Sequence, residues 1–325
     1  MSATETTPKT MQTNEPSNKQ SHKRTVDGLL PLDKPTGLTS NRVLQQVKRL
    51  FGARKAGHTG SLDPLASGML PICFGQATKL SGYLLGADKT YLVTAKFGAK
   101  TDTADADGRI IAGSVREEVR RDELEEALQA YRGEIQQIPP MYSALKINGK
   151  RLYELAREGK AVPREPRTVR IHALTVEKFD LREPVLRVRC SKGTYIRTLV
   201  EDIAETAGTL GHVIALRRLS VYPFGVGDLV SMDELLAAAE GGLEALDRFL
   251  LPLDQAIADW PAVYLNKEES YYLRQGHSVN ASPGPEAGLV RLYDGRRLFL
   301  GIGEVMVDGR IAPKRLFPGL GAGPA

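Results

Sequence analysis

Gly57-His58-Thr59-Gly60-Ser61-Leu62-Asp63-Pro64-Leu65-Ala66-Ser67-Gly68 is the stretch from which the rest of the chain is read. One acid stands among small residues, and Pro64 follows it directly, so its backbone is restricted and no helix runs through it. The glycines permit positive φ and let a second backbone segment come close. The stretch is therefore a rigid loop that presents one carboxylate. From composition alone, a simple turn residue is the leading reading of Asp63.

Outward from this loop, the bulk numbers set limits. At 325 residues the chain is long enough for two domains and a buried core, and 42% hydrophobic with 26% charged residues is ordinary for a soluble globular protein. Met141 to Arg170 carries eight Lys or Arg against three Glu, an excess that equals the whole chain's net charge of +5. Such a concentrated patch suits a polyanion. Cys73 and Cys190 lie far apart among apolar residues, outside any metal spacing, which suits reduced core thiols. Residues 1–24 are polar and aperiodic, so a disordered tail rather than a secretory signal is expected. No apolar run reaches membrane-spanning length, and a cytoplasmic protein is expected.

Asp27–Leu32 reads as a short strand that runs into the turn Asp33-Lys34-Pro35-Thr36-Gly37. Ser40 is placed as the cap of a helix whose Val43, Leu44, Val47 and Leu50 recur at helical spacing. A helix is expected near Gly75–Tyr83, and a strand where Tyr91, Val93, Ala95 and Phe97 alternate with Leu92, Thr94 and Lys96. Asp122 with Glu125 resembles a capping box opening a helix over Glu123–Tyr131. Strands follow over Val169–Phe179 and Val185–Cys190, then a helix over Thr198–Ala207 and one helical stretch over Val230–Phe249. From Asp259, short strands at Leu289–Tyr293, Arg297–Ile302 and Glu304–Val307 suggest a small β-rich module.

Several chemistries can be set aside. No glycine of the Asp63 loop is followed by the Lys-Ser/Thr of a phosphate-binding loop, and Gly149-Lys150 continues with Arg151. Thr101–Gly108 imitates a calcium loop, but aligning Gly108 puts Thr103 in the first ligand position and Ser114 in the twelfth; it reads as a solvated acidic loop. No second His or Cys joins His58 near Asp63, so no metal is expected. Glycoside hydrolases use two carboxylates, and the loop offers one. A single ionised Asp can still act as nucleophile or base at a sugar carbon. The segment Lys192-Gly193-Thr194-Tyr195-Ile196-Arg197 supplies what such an acid requires, because an adjacent Arg holds a carboxylate ionised and oriented. A surface Arg and a core Tyr fit the same letters.

With these segments in view, the chain resembles the bacterial tRNA pseudouridine-55 synthases, the stand-alone branch of the pseudouridine synthase superfamily. The resemblance runs from about Gly28 to the C-terminus. It rests on Leu32-Asp33-Lys34-Pro35-Thr36-Gly37-Leu38-Thr39-Ser40, on Gly57 to Gly68, on Lys89-Thr90-Tyr91, on Pro140-Met141-Tyr142-Ser143-Ala144-Leu145-Lys146 and on Lys192 to Arg197.

The resemblance implies that Asp63 is the catalytic aspartate, that Tyr91 stacks on the flipped uracil and that Arg197 pairs with Asp63. It further implies that Tyr195 and Leu216 line the base pocket, that His58 fills the space the base vacates, and that Lys79 serves the substrate in a less defined way. Lys146, Lys150, Arg151 and Arg157 become parts of a mobile RNA clamp over 141–170. The implied fold is α+β: a mixed, largely antiparallel sheet with flanking helices and a central cleft over 25–255, then a PUA-like RNA-binding barrel over 256–320. The implied partner is the T-stem loop of tRNA, met by a monomer with no cofactor and no protein partner. A guide-RNA-dependent synthase and a non-catalytic tRNA-folding protein are the alternatives.

Overall fold

Lys89, Tyr91, Val93, Ala95 and Phe97 are all buried, while the residues between them lie nearer the surface, so 89–97 is a strand with one face on a core. Among the described residues it is one of nine strands in the main sheet. The computed structural model describes residues 23–143, 145–147, 149–160, 162–280 and 288–319. Of the tail expected over residues 1–24, residues 1–22 lie outside them.

In chain order the strands are β1 (Gly28–Lys34), β2 (Ala56–His58), β3 (Ser67–Phe74), β4 (Lys89–Phe97), β5 (Ala99–Thr101), β6 (Ile110–Gly113), β7 (Gly133–Gln137), β8 (Lys146–Ile147) and β9 (Lys150–Arg151). They continue as β10 (Arg167–Lys178), β11 (Val185–Cys190), β12 (Gly211–Val221), β13 (Val230–Ser231), β14 (Ala262–Tyr264), β15 (Gly288–Tyr293), β16 (Phe299–Val305) and β17 (Ile311–Leu316). The helices are α1 (Ser40–Leu50), α2 (Ser81–Gly86), α3 (Arg121–Gln129), α4 (Leu152–Arg157), α5 (Ile196–Thr206), α6 (Met232–Glu240), α7 (Leu243–Asp247) and α8 (Lys267–Arg274).

The main sheet runs β13-β1-β3-β12-β4-β11-β10-β7, with β2 paired to β3. Among the described residues, only β1–β13 and β3–β12 pair in parallel within it. The architecture is thus mixed α+β and sheet-dominated, as expected. On the β4, β10, β11 and β12 half, α3 and α5 bury Leu124, Leu128, Leu199 and Ile203 against Val93, Val188 and Val213. On the β1–β3 half, α1 packs Val43, Leu44 and Val47 against Leu30, Leu32 and Ile72. The four strands β14-β15-β16-β17 pair as a ladder, and no strand closes it into a barrel among the described residues. Ile302 and Phe317 of this ladder's region pack with Leu29, Cys73 and Leu80 of the main sheet's flank. Cys73 and Cys190 are buried free thiols, pushed up by burial to about 12 and about 11.

Several boundaries differ from expectation for local reasons. Order is present by Arg24, whose guanidinium grips both oxygens of Asp247 at 2.6 Å. Thr39, not Ser40, caps α1 by accepting from the Arg42 N–H. The helix α3 begins at Arg121, with the Glu123 carboxylate taking the Arg120 N–H at 2.9 Å. Gly242, at φ +86, breaks the stretch after Ser231 into α6 and α7. The two strands expected at 297–302 and 304–307 are the single strand β16, while β14, β17 and α8 add to the C-terminal region.

Candidate active site

The segment after β1 holds the Asp63 loop on either side of the acid. Ser40 is buried, and its hydroxyl donates to Leu62 O at 3.0 Å and accepts from Leu62 N at 2.8 Å. Gly37 N donates to Pro64 O at 2.7 Å. The bonds therefore fall on the residues either side of Asp63, which explains why Asp33–Ser40 and Gly57–Gly68 act together. Lys34 is fully buried and closes its own turn by donating to Pro35 O at 2.8 Å and Leu38 O at 2.7 Å. Burial pulls its ammonium down to about 8, with the Asp63 charge opposing.

Arg197 lies in the first turn of α5 and faces Asp63. Its Nε sits 3.0 Å from Asp63 Oδ2. Its Nη1 donates to Thr103 O at 2.7 Å and to Asp105 Oδ2 at 3.3 Å, and its Nη2 donates to Tyr142 O at 2.7 Å. The Arg197 and Asp105 side chains are only 7% and 5% exposed, whereas that of Asp63 is 43% exposed. A buried guanidinium, fixed on three other acceptors, thus presents one half-open carboxylate. Crowding by the surrounding protein pushes the Asp63 carboxyl above the usual range; Arg197 opposes that rise and the Asp105 charge adds to it.

Tyr91 is buried on β4, and its hydroxyl is pushed up by burial, with the Arg218 charge opposing and the Asp63 charge adding. Leu216 on β12 shares an apolar cluster with Tyr91, Leu62 and Ala66. Tyr195 precedes α5, and the buried Gln137 side chain holds its backbone from both sides, N to Oε1 at 3.0 Å and O to Nε2 at 3.3 Å. Burial pushes the Tyr195 hydroxyl up, and both Arg197 and Asp63 lie close enough to act on it. His58 ends β2 half-buried, its Nδ1 buried without a hydrogen-bond partner among the described residues. Burial first, then the Arg218 charge, lowers its pKa and keeps the ring neutral.

Lys79 is not brought to this cluster. It lines a cavity of about 350 Å³ with Asp27, Arg54, Lys55 and Gln76, and its Nζ lies 5.7 Å from the Phe317 ring centre. Lys146, Lys150, Arg151 and Arg157 are exposed on the β8–β9 hairpin and α4, and the chain rejoins the sheet at Arg167. Thr101–Gly108 is not the solvated loop expected, because Asp105 is buried against Arg197. That acid, Lys34, Gln137 and Arg218 escaped the sequence reading. The one hint was the run of acids at Asp102, Asp105 and Asp107 in a chain whose buried Arg needs more than one partner. Among the described residues, no three His, Cys, Asp or Glu side chains converge as metal ligands, and no helix is long and apolar enough to cross a membrane.

Residues 48–196 match the family described as TruB family pseudouridylate synthase (N terminal domain), 197–258 the tRNA pseudouridylate synthase B C-terminal domain, and 261–317 the C-terminal region of pseudouridine synthase II TruB. The chain is 52% identical over 291 residues to tRNA pseudouridine synthase B of Nitrosococcus oceani, covering 90% of this chain and 94% of that one. The chain belongs to the TruB family. The tRNA pseudouridine synthase B of Pseudomonas aeruginosa is 50% identical over 90% of this chain and 97% of its own. Among solved structures, a chain of a Cbf5-Nop10-Gar1 complex superposes with a TM-score of 0.69 at 23% identity, covering 93% of this chain and 87% of that one. At that identity the likeness concerns the fold.

Proposed function

We propose that this protein isomerises uridine 55 in the T loop of tRNA to pseudouridine, with Asp63 as its catalytic carboxylate. The C1′–N1 bond breaks, the uracil turns, and a C1′–C5 bond forms; C5 loses its proton and N1 gains one, so the product is an isomer. An ionised Asp63 serves this chemistry by attack at C1′ or by taking a proton from the ribose. Tyr91 stacks on the base, Tyr195 and Leu216 bound its pocket, and His58 occupies the space the base leaves. Flipping a base costs roughly a few kcal/mol, and one stacked aromatic returns about 1–3 kcal/mol. Attraction between phosphates and Lys146, Lys150, Arg151 and Arg157 supplies the rest.

The observation that carries this reading is the half-open Asp63 carboxylate backed by the buried Arg197. The curated relatives named tRNA pseudouridine synthase B support it. We read residues 25–255 as the catalytic unit and 256–320 as a PUA-type RNA-binding module of a monomer. It acts on tRNA in the cytoplasm without a guide RNA.

The test is release of tritium from tRNA transcript labelled at uridine C5. The wild type releases it from naked transcript, and Asp63→Asn lowers the rate by about a thousandfold or more while tRNA affinity stays within a few fold. Turnover retained in Asp63→Asn would overturn the role of this residue.

A further inference from the structure

Arg218 on β12 is 1% exposed, and no carboxylate lies within ion-pair distance of it among the described residues. Its Nε donates to Met69 O at 2.6 Å and its Nη2 to Gly60 O at 2.9 Å. Gly60 opens the catalytic loop and Met69 follows it, in β3, so one planar fork ties both ends of the segment that carries Asp63. The backbone repeats the tie: Arg218 stands opposite Gly68 on β3 and opposite Tyr91 on β4. Gly68 has φ +97, and a Cβ there would lie 2.2 Å from Arg218 O, so no other residue permits this approach.

A purely structural link between two carbonyls does not require a buried charge. This one has no carboxylate beside it, and it sits close enough to the buried Lys34 and Lys89 to weaken the protonation of both. Such a local conflict is expected where function demands it. The fork also shares the sheet face of Tyr91, its cross-strand partner.

We propose that Arg218 is a positioning residue of the isomerisation, fixing the Asp63 loop against Tyr91 through the carbonyls of Gly60 and Met69. This rests on the function proposed above. A displacement of about 1 Å in a reacting group can cost a hundredfold in rate.

The experiment compares wild type, Arg218→Lys, Arg218→Gln and Asp63→Asn in single turnover with enzyme in excess over labelled tRNA. With enzyme saturating for tRNA, that rate is independent of how much of a preparation is folded. Lys keeps the charge without the two-armed span, and Gln keeps one neutral donor. Both are expected to lose about a hundredfold in rate, with tRNA Kd within about threefold of wild type. Near-UV circular dichroism identifies a variant that is not folded, in which case the other decides. A wild-type rate in either folded variant overturns the role of Arg218, whereas an inactive wild type would overturn the function itself.

Discussion

The Asp63 loop and the 141–170 insertion hold charge in opposite ways. Around the loop, Lys34, Arg197 and Arg218 are buried and each is committed to named acceptors. On the insertion, Lys146, Lys150, Arg151 and Arg157 are exposed, and the element is fastened by the buried Leu152 and by bonds from Leu152 N to Leu145 O and Tyr153 N to Ser143 O. Arg151 and Arg157 both lie over the Tyr153 ring, at 5.8 and 5.6 Å, with their charges still in water. Preorganised groups serve bond-breaking because they need not rearrange as charge develops. Solvated, adaptable ones suit a polyanion whose phosphates are spread over a surface. The two regions meet where Tyr142 O accepts from Arg197 Nη2.

The sharpest way to break the buried half is to remove Arg197. Arg197→Met leaves Asp105 buried without its cation, which costs about 3–5 kcal/mol of stability and appears as a lower Tm. It also removes the charge that opposes the rise of the Asp63 pKa. Burial and Asp105 then act unopposed by it, so the Asp63 pKa rises further. In the reaction proposed above the working form is the carboxylate, so kcat falls most at low pH, and the acid limb of its pH profile moves toward higher pH. Arg197→Lys moves the limb less, because the charge stays while most of the fork's bonds disappear. An acid limb unmoved in both variants would show that Arg197 does not govern Asp63.

The exposed half breaks differently. Replacing Lys150, Arg151 and Arg157 by Ala leaves the single-turnover rate at saturation within about threefold of wild type but weakens tRNA binding. The slope of log Kd against log salt flattens by about 0.7–0.9 for each phosphate that is no longer neutralised. Binding measured across several salt concentrations reads this directly. An unchanged slope would remove the insertion from the RNA interface.

Much of this contrast was legible in the letters. The strand Tyr91–Phe97 follows from alternation and the exposed charge of the insertion follows from composition, whereas the residues alone left Asp63 a turn residue and Arg197 a surface cation, and only the family resemblance paired them. What was not legible depends on long-range pairing. Asp105 stands 92 positions from Arg197, so its acidic neighbourhood reads locally as solvent-facing until β12 and α5 are folded beside it. Ser40 looks like a helix cap because it precedes a periodic run, yet Leu62, 22 positions on, claims its hydroxyl and leaves capping to Thr39. Arg218 sits in Leu216-Arg217-Arg218-Leu219, where nothing local distinguishes it from Arg217, which pairs with Asp33 at 2.6 Å at a more exposed position.

Lys79 tests where the boundary between the two regimes falls. The family resemblance assigned it to the substrate, but its ammonium lies over Phe317 beside Arg54 and Lys55. An exposed cation over an aromatic ring contributes about 0.5–1 kcal/mol, so Lys79→Ala should lower the Tm slightly. A surface change remote from the chemistry should leave the single-turnover rate within about twofold. The three cations at this cavity could still add to long-range attraction, in which case Lys79→Ala would weaken tRNA binding slightly at low salt and not at high salt. A tenfold loss in the saturated rate would place Lys79 with Asp63 and Arg197 instead, and would extend the preorganised region to the flank of β3.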